Sequence, residues 1–457
     1  MKRIFYSLVV YFFFSFCIIS LNSCKEDNST ITNNNNNNNA NPQIQPVAVP
    51  SGERIFFMKA VDNKILIITD SIQVGTADIY SIKPDGTDEL KHTNLSASFF
   101  VCDNPEISYD GKYLTFTSNY NSWVSACYTD VFLWDLARNT ARRVTGDERP
   151  FPPTRTATLR VTGGFHEGRV SAKGSQKFTN SQTVKTDSGD YEVAVLTVPA
   201  GENIWVKSEY NREYSSVAFT YQLEGTTESI FVSPLNKDGI AAEKGTLSPD
   251  VNKLVCMLDG KIAVFDLTKG IVWDKNIGGH TLGYSDYPVY SHDGSKVALC
   301  WGQFSYANTL GILSPPESEG NPTIIFPEYT LGGTQLILSP SWSPDDKEIV
   351  FLGAVIGGKG STGNVFKLNV ATKQLVQLTD FSGQYTALKP CFSPDGTKIV
   401  FTVVKCKNVF MMDILDFVTR DNIEGADLFI IPSNGGAATQ LTHDGKSYNP
   451  SWGVVKK

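Results

Sequence analysis

Several things that would declare a chemistry are scarce or missing in this 457-residue chain. No G-x-S-x-G pentapeptide occurs, and the sequence leaves no room for the α/β domain that a serine hydrolase of that kind needs; this excludes that mechanism. There are five histidines, His92, His166, His280, His292 and His443, and no two stand at the i, i+4 spacing that holds a metal on a helix. No catalytic residue, metal ligand or cofactor is assigned. Basic runs are also absent, and the formal net charge is −7. An acidic chain without a basic stripe is unsuited to nucleic acid and to anionic lipid surfaces.

What is abundant is one short pattern. In Lys389-Pro390-Cys391-Phe392-Ser393-Pro394-Asp395-Gly396, an apolar pair runs into a proline-containing turn, and Ile399-Val400-Phe401 follows. Proline presets φ, Asp and Gly suit the next turn positions, and the flanks are β-prone, so the segment reads as a hairpin. Near-copies lie at Pro105–Gly111, Pro288–Gly294 and Pro340–Asp346, with a weaker one at Gly245–Asp250 and a truncated one at Pro450–Gly453. Further strands follow most copies (Asp130–Leu133, Ile262–Phe265, Asn364–Lys367, Asp427–Ile430), then Val144-Thr145, Leu378-Thr379 or Leu441-Thr442. Four strands per unit at this spacing suggest propeller blades.

The N-terminal segments Arg54–Phe57, Asp78–Ser81 and Leu90–Thr93 look like a blade without its first strand, and Pro450–Trp452 like a first strand without followers. Joining them closes the ring and removes two exposed sheet edges. The expected fold is all-β: a six-bladed β-propeller closed by N- and C-terminal strands, with an inserted small β-sandwich. The repeats, over roughly 53–150 and 237–457, resemble the TolB-type (WD-repeat-like) propeller, marked by a P-x-aromatic-S-P-D-G turn and a following "IY" or "LF" strand. The fold follows from the resemblance more readily than any function does. TolB's α/β domain has no counterpart here, so its partners do not carry over.

Blades are expected at 53–152 and 237–457, with the inserted sandwich at 153–236. In the insertion, Ala157–Val161, Tyr191–Val195, Asn203–Lys207 and Val217–Thr220 read as strands. The stretch TDSGDYEVAVLTVPAGENIWVKSEY resembles the carboxypeptidase-regulatory or transthyretin-like module; a degenerate seventh blade ending at Phe231-Val232 is the competing reading.

At the other end, Lys2-Arg3 and the apolar run Ile4–Leu21 read as a secretory signal, or as a membrane anchor by length. Leu21-Asn22-Ser23-Cys24 resembles a lipobox. That implies a signal peptide at 1–23, lipidation (palmitate) at Cys24 and a membrane partner through that anchor. Lys25-Glu26-Asp27 resembles a surface-export signal, so an outer-membrane lipoprotein on the cell surface or the periplasmic face is expected. Residues 24–52, Asn- and Pro-rich, are expected to be a disordered tether. In such a compartment Cys102–Cys127 is the pair to test for a disulfide.

For function, the residues just before the first strands are expected to ring the channel mouth: Asp103-Asn104, Asp286-Tyr287, Leu338-Ser339, Leu388-Lys389 and Tyr448-Asn449, with His280 ahead of one of them. The binding residues named are Asn104, His280, Asp286, Tyr287, Lys389, Tyr448 and Asn449. Their polar and aromatic character suits an envelope protein, a peptide or a glycan, bound without catalysis by a monomer. Two alternatives stand beside this: a carbohydrate-active enzyme resembling oligogalacturonate lyase, and a structural envelope scaffold. The turn aspartates read as backbone-bonding residues, and Lys405–Gly425 reads as a long excursion with a short helix capping one face.

Overall fold

A computed structural model of the chain describes residues 44, 46–60, 77–95, 102–118, 130–145, 154–161, 168–174, 177–184, 191–199, 204–210, 217–222, 229–232, 242–258, 261–275, 284–302, 308–317, 322–327, 330–333, 335–355, 362–407 and 423–457. Among them every regular element is a strand, and no helix is long and apolar enough to cross a membrane. The chain divides into two compact units that part near residues 149 and 239.

The larger unit is a six-bladed β-propeller. Blade 1 draws on both ends of the chain: Ser447–Val455 pairs antiparallel with Gly52–Ala60, and Ala77–Ile82 and Leu90–Lys91 follow outward. Ile55 lies opposite Trp452, and Arg54 opposite Gly453. The other five are plain four-stranded meanders with innermost strands Cys102–Ile107 (blade 2), Ala242–Leu247 (blade 3), Tyr284–Tyr290 (blade 4), Gln335–Trp342 (blade 5) and Tyr385–Phe392 (blade 6). Each innermost strand packs against the next, and the sixth meets the first. Apolar layers between sheets hold the ring; Phe351, for example, packs with Trp342, Ile349 and Phe326 between blades 4 and 5. Such packing is the main favourable term where sheets stack on sheets.

The repeated pattern has a polar logic as well. In each S-x-D turn the serine hydroxyl donates to the aspartate two residues on, as from Ser393 to Asp395 at 2.6 Å and from Ser343 to Asp345 at 2.7 Å. The same oxygen accepts the backbone N–H that starts the next strand, Lys398 at 2.9 Å and Glu348 at 2.9 Å. A threonine after the outer strand closes four of the blades likewise. Thr442 Oγ1 accepts the N–H of Leu428 at 2.9 Å and donates to Asp427 at 3.0 Å, and Thr93, Thr145 and Thr379 repeat this with Asp78, Asp130 and Asn364.

Two boundaries differ from the sequence reading. The innermost strands begin before the residues taken to precede them, so Asn104, Tyr287, Ser339, Lys389 and Asn449 lie inside strands. The end of the expected tether belongs to the propeller: Ile44 and Val49 are buried beside Trp134, Leu136 and Ala141. Val47 and His92 exchange hydrogen bonds there, Val47 N–H to the His92 carbonyl at 2.7 Å and His92 Nδ1 to the Val47 carbonyl at 3.0 Å.

The smaller unit holds two antiparallel sheets. One orders Lys177–Val184, Gly168–Gly174 and Ile204–Tyr210; the other orders Tyr191–Pro199, Thr154–Val161, Val217–Gln222 and Ser229–Val232. The second is not a sequential meander and so is not ordered as the blades are. The strands at 168–174 and 177–184 were not foreseen, being too polar to show an apolar alternation.

Cys102 and Cys256 are buried free thiols, and Cys300 and Cys406 are buried as well. Cys127, Cys24 with the signal and lipobox, His166, His280 and the expected cap at 408–422 lie outside the described residues.

Candidate functional site

Each innermost strand carries one non-glycine residue at positive φ, at the same place: Asn104 (49°), Lys244 (55°), Tyr287 (46°), Ser339 (54°), Lys389 (42°) and Asn449 (53°). Each marks a break in the register with the neighbouring strand, and proline follows in every case except Lys244-Gly245. Bulges of this kind turn a side chain away from the alternating pleat. Left-handed backbone costs a non-glycine residue roughly 1–3 kcal/mol, so six such residues persist only where the surroundings fix them.

They converge on the axis. Tyr287 of blade 4 donates its hydroxyl to Asn104 Oδ1 of blade 2 at 3.0 Å. Lys389 of blade 6 reaches Glu106 of blade 2 at 2.9 Å, and its Nζ also lies 5.8 Å from the Tyr287 ring centroid. Blades 2, 4 and 6 are not neighbours in the ring, so these contacts span the channel. Asn449 of blade 1 donates to Asp103 Oδ1 at 2.8 Å, Asn104 N–H does so at 2.7 Å, and Lys244 Nζ lies 4.4 Å from the Tyr287 ring. Ser451 donates to Glu106 Oε2 at 2.9 Å.

Much of the belt is interior: Asn104, Lys389 and Asn449 are each 5% exposed, while Lys244 and Tyr287 are half-buried. Burial pushes the Asp103 carboxyl above the usual range, against the Asn449 hydrogen bond and the nearby Lys389 ammonium. Lys389 Nζ pairs with Glu106 by charge but is not aligned for a hydrogen bond, so its N–H donors face a cavity of about 40 Å³. Tyr287, Ser339, Ser341, Thr246 and Cys391 also line it. That volume suits a few waters, not a drug-sized ligand, whose pockets run to roughly 300–1,000 Å³.

At the S-x-D turns, Tyr109 of blade 2 crosses to blade 4. Its hydroxyl donates to the carbonyl of Tyr290, and its ring stacks on His292 at 3.9 Å between centroids. Burial, then the nearby acidic groups Asp346, Cys391 and Glu106, push the phenol well above its ordinary value.

Of the seven named binding residues, the structure brings Asn104, Tyr287, Lys389 and Asn449 into one belt. Tyr448 is buried in the apolar cluster with Met58 and Phe56. Asp286 lies on its strand one residue before Tyr287, and His280 falls outside the described residues. Lys244, Glu106 and Tyr109 were not foreseen. Lys244 was legible by aligning the weak copy one residue further back; nothing in the repeat marks Glu106. Among the described residues no group of three or more His, Cys, Asp or Glu side chains could hold a metal ion.

No protein-family profile and no curated protein matches the chain. Solved structures do resemble it. A putative TolB from Agrobacterium tumefaciens is 15% identical over 48% of this chain and 87% of that one, with a TM-score of 0.29. An oligogalacturonate lyase in complex with manganese is 13% identical over 87% of each chain, with a TM-score of 0.35. Hydrazine synthase from Kuenenia stuttgartiensis is 16% identical over 49% of this chain, which spans only 59% of that protein, with a TM-score of 0.32. At these identities and scores none of them carries an activity over to this chain.

Proposed function

We propose that this chain is a lipid-anchored envelope protein that binds a peptide, protein or glycan partner without catalysis, at the channel mouth formed where the innermost strands begin. The observation that supports this most is the belt itself: amides (Asn104, Asn449), one aromatic (Tyr287) and two ammonium groups (Lys244, Lys389) held at the axis by strained backbone. Rigid, pre-placed polar and aromatic groups lower the entropic cost of recognition. The belt fills the channel, so it acts as a floor, and the ligand rests above it. On this reading Cys24 carries the lipid, residues up to about 43 form the tether, and the insertion is a transthyretin-like sandwich, in keeping with its two antiparallel sheets.

The same filled channel favours a second reading, a structural envelope scaffold working through blade sides. Glycan and peptide arrays probed with the wild type and Tyr287→Ala separate the two. Binding weakened by the substitution supports the mouth, and a profile that Tyr287→Ala leaves unchanged removes it. Release of unsaturated product from oligogalacturonate by the purified protein would overturn the non-catalytic reading in favour of a lyase.

A further inference from the structure

The S-x-D-G turns depart from their own pattern in four places, and three of the departures touch. Proline fills the second position in blades 3, 5 and 6 (Pro249, Pro344, Pro394), but blade 2 has Tyr109 and blade 4 has His292. Glycine fills the fourth position at Gly111, Gly294 and Gly396, but blade 3 has Val251 (φ 58°), packed in the apolar layer toward blade 2, and blade 5 has Asp346 (φ 57°). Tyr109 stacks on His292, with 30° between the rings. Asp346 Oδ1 accepts the His292 backbone N–H at 2.7 Å and lies 3.2 Å from its Nδ1, while Oδ2 accepts Asp293 N–H at 2.9 Å. A turn built only to reverse the chain needs none of this.

The three residues come from blades 2, 4 and 5, and Tyr109 skips blade 3 altogether to reach the carbonyl of Tyr290. Its hydroxyl donates to a backbone carbonyl two blades away while the residue as a whole stays 38% exposed, as expected of a stopper seated at an opening. Three residues before Tyr109, Glu106 lines the cavity together with Lys389 and Cys391.

We propose that Tyr109, seated on the His292–Asp346 pair, plugs the turn-side end of the propeller channel, so that a ligand reaches the belt only from the opposite face. Its use in recognition rests on the binding reading above; the seal itself does not, and its test involves no ligand.

Cys391 lines this cavity and is a half-buried free thiol, so it reports access. The full chain is treated with methyl methanethiosulfonate, and labelling is timed by peptide mapping at Cys391 and at Cys256, which is fully buried between blades 2 and 3 and reports loss of the fold. In Tyr109→Ala, Cys391 is labelled about tenfold faster than in the wild type while Cys256 keeps its rate. Equal Cys391 rates in the two proteins overturn the plug. If Tyr109→Ala raises Cys256 in step, Tyr109→Pro decides, because it restores the residue that the other turns carry. Faster labelling of Cys391 alone then supports the plug, and an unchanged rate overturns it.

Discussion

The hydroxyl of Tyr287 in blade 4 meets the side-chain oxygen of Asn104 in blade 2 at 3.0 Å, with the whole of blade 3 between their strands in the ring. The axis of this propeller is therefore braced by side chains as well as enclosed by sheets. Tyr287→Phe removes one donor and leaves the buried Asn104 oxygen short of it. The expected loss is about 1–3 kcal/mol of unfolding free energy. Urea unfolding should show it as a lower midpoint at unchanged m. A midpoint equal to the wild type's would mean that water or another group serves Asn104 as well.

Closure of the ring predicts a sharper contrast. Gly111 has φ +74°, and a Cβ there would lie 1.8 Å from the Val454 carbonyl; its own carbonyl accepts Lys456 N–H at 2.9 Å. Gly270 has φ +85° with nothing within 4 Å of a Cβ. Both pay the left-handed cost of about 1–2 kcal/mol when changed to Ala, but only Gly111→Ala must also push the C-terminal strand away. Thermal melts should rank Gly111→Ala well below Gly270→Ala, and removal of residues 450–457 lower still. Equal melts for the two alanine variants would mean that the C-terminal strand is not docked on blade 2.

His92 gives a pH dependence with a definite sign. Burial holds its imidazole down to about 4, against the Val47 carbonyl that favours its charged form. Its Nε2 lies 2.7 Å from Ser81 Oγ, which takes a hydrogen bond from Arg54 Nε at 2.7 Å, so neutral His92 fits as acceptor there. Because the folded value is depressed, the unfolded chain binds the proton first. The contribution is complete above about pH 6.5 and is lost as pH falls toward 4, a span worth about 3 kcal/mol. His92→Gln should flatten the melting temperature between pH 6.5 and 4 relative to the wild type; parallel curves would remove His92 as the cause.

The propeller was legible in the sequence because its turns are chemically punctuated. Ser393-Pro394-Asp395-Gly396 names a hairpin by itself, and repetition supplies the rest. Closure was legible too, since Pro450–Trp452 lacked followers and Arg54–Phe57 lacked a first strand. The belt was half legible. Proline marks the bulge in five blades, but which side chains meet across an axis depends on ring geometry that no local pattern encodes. Tyr109 and Asp346 passed as tolerated variations of a turn, because their meaning lies in contacts between blades 2, 4 and 5. The insertion's polar strands at 168–174 and 177–184 lacked the alternation that announces a strand.

The Leu-Thr tail makes the last prediction, because one hydroxyl does two jobs. Thr442 Oγ1 accepts Leu428 N–H at 2.9 Å and donates to Asp427 Oδ1 at 3.0 Å; that carboxylate also takes Gly445 N–H at 3.1 Å. Thr442 is 4% exposed, so water cannot readily replace it. Thr442→Val keeps the shape but strands a buried N–H and removes a donor from Asp427, at a cost of about 1–3 kcal/mol. Thr442→Ser keeps the hydroxyl and loses one methyl, which costs about 1 kcal/mol. If the tail is a polar clip, Ser outranks Val in urea midpoint. If Thr stands there for its β-branched packing alone, Val equals the wild type and Ser falls below it. The same pair of substitutions at Thr379, whose partner is the neutral Asn364 at 2.9 Å, should give the same order with a smaller gap, since a hydrogen bond to a charged acceptor is the stronger one.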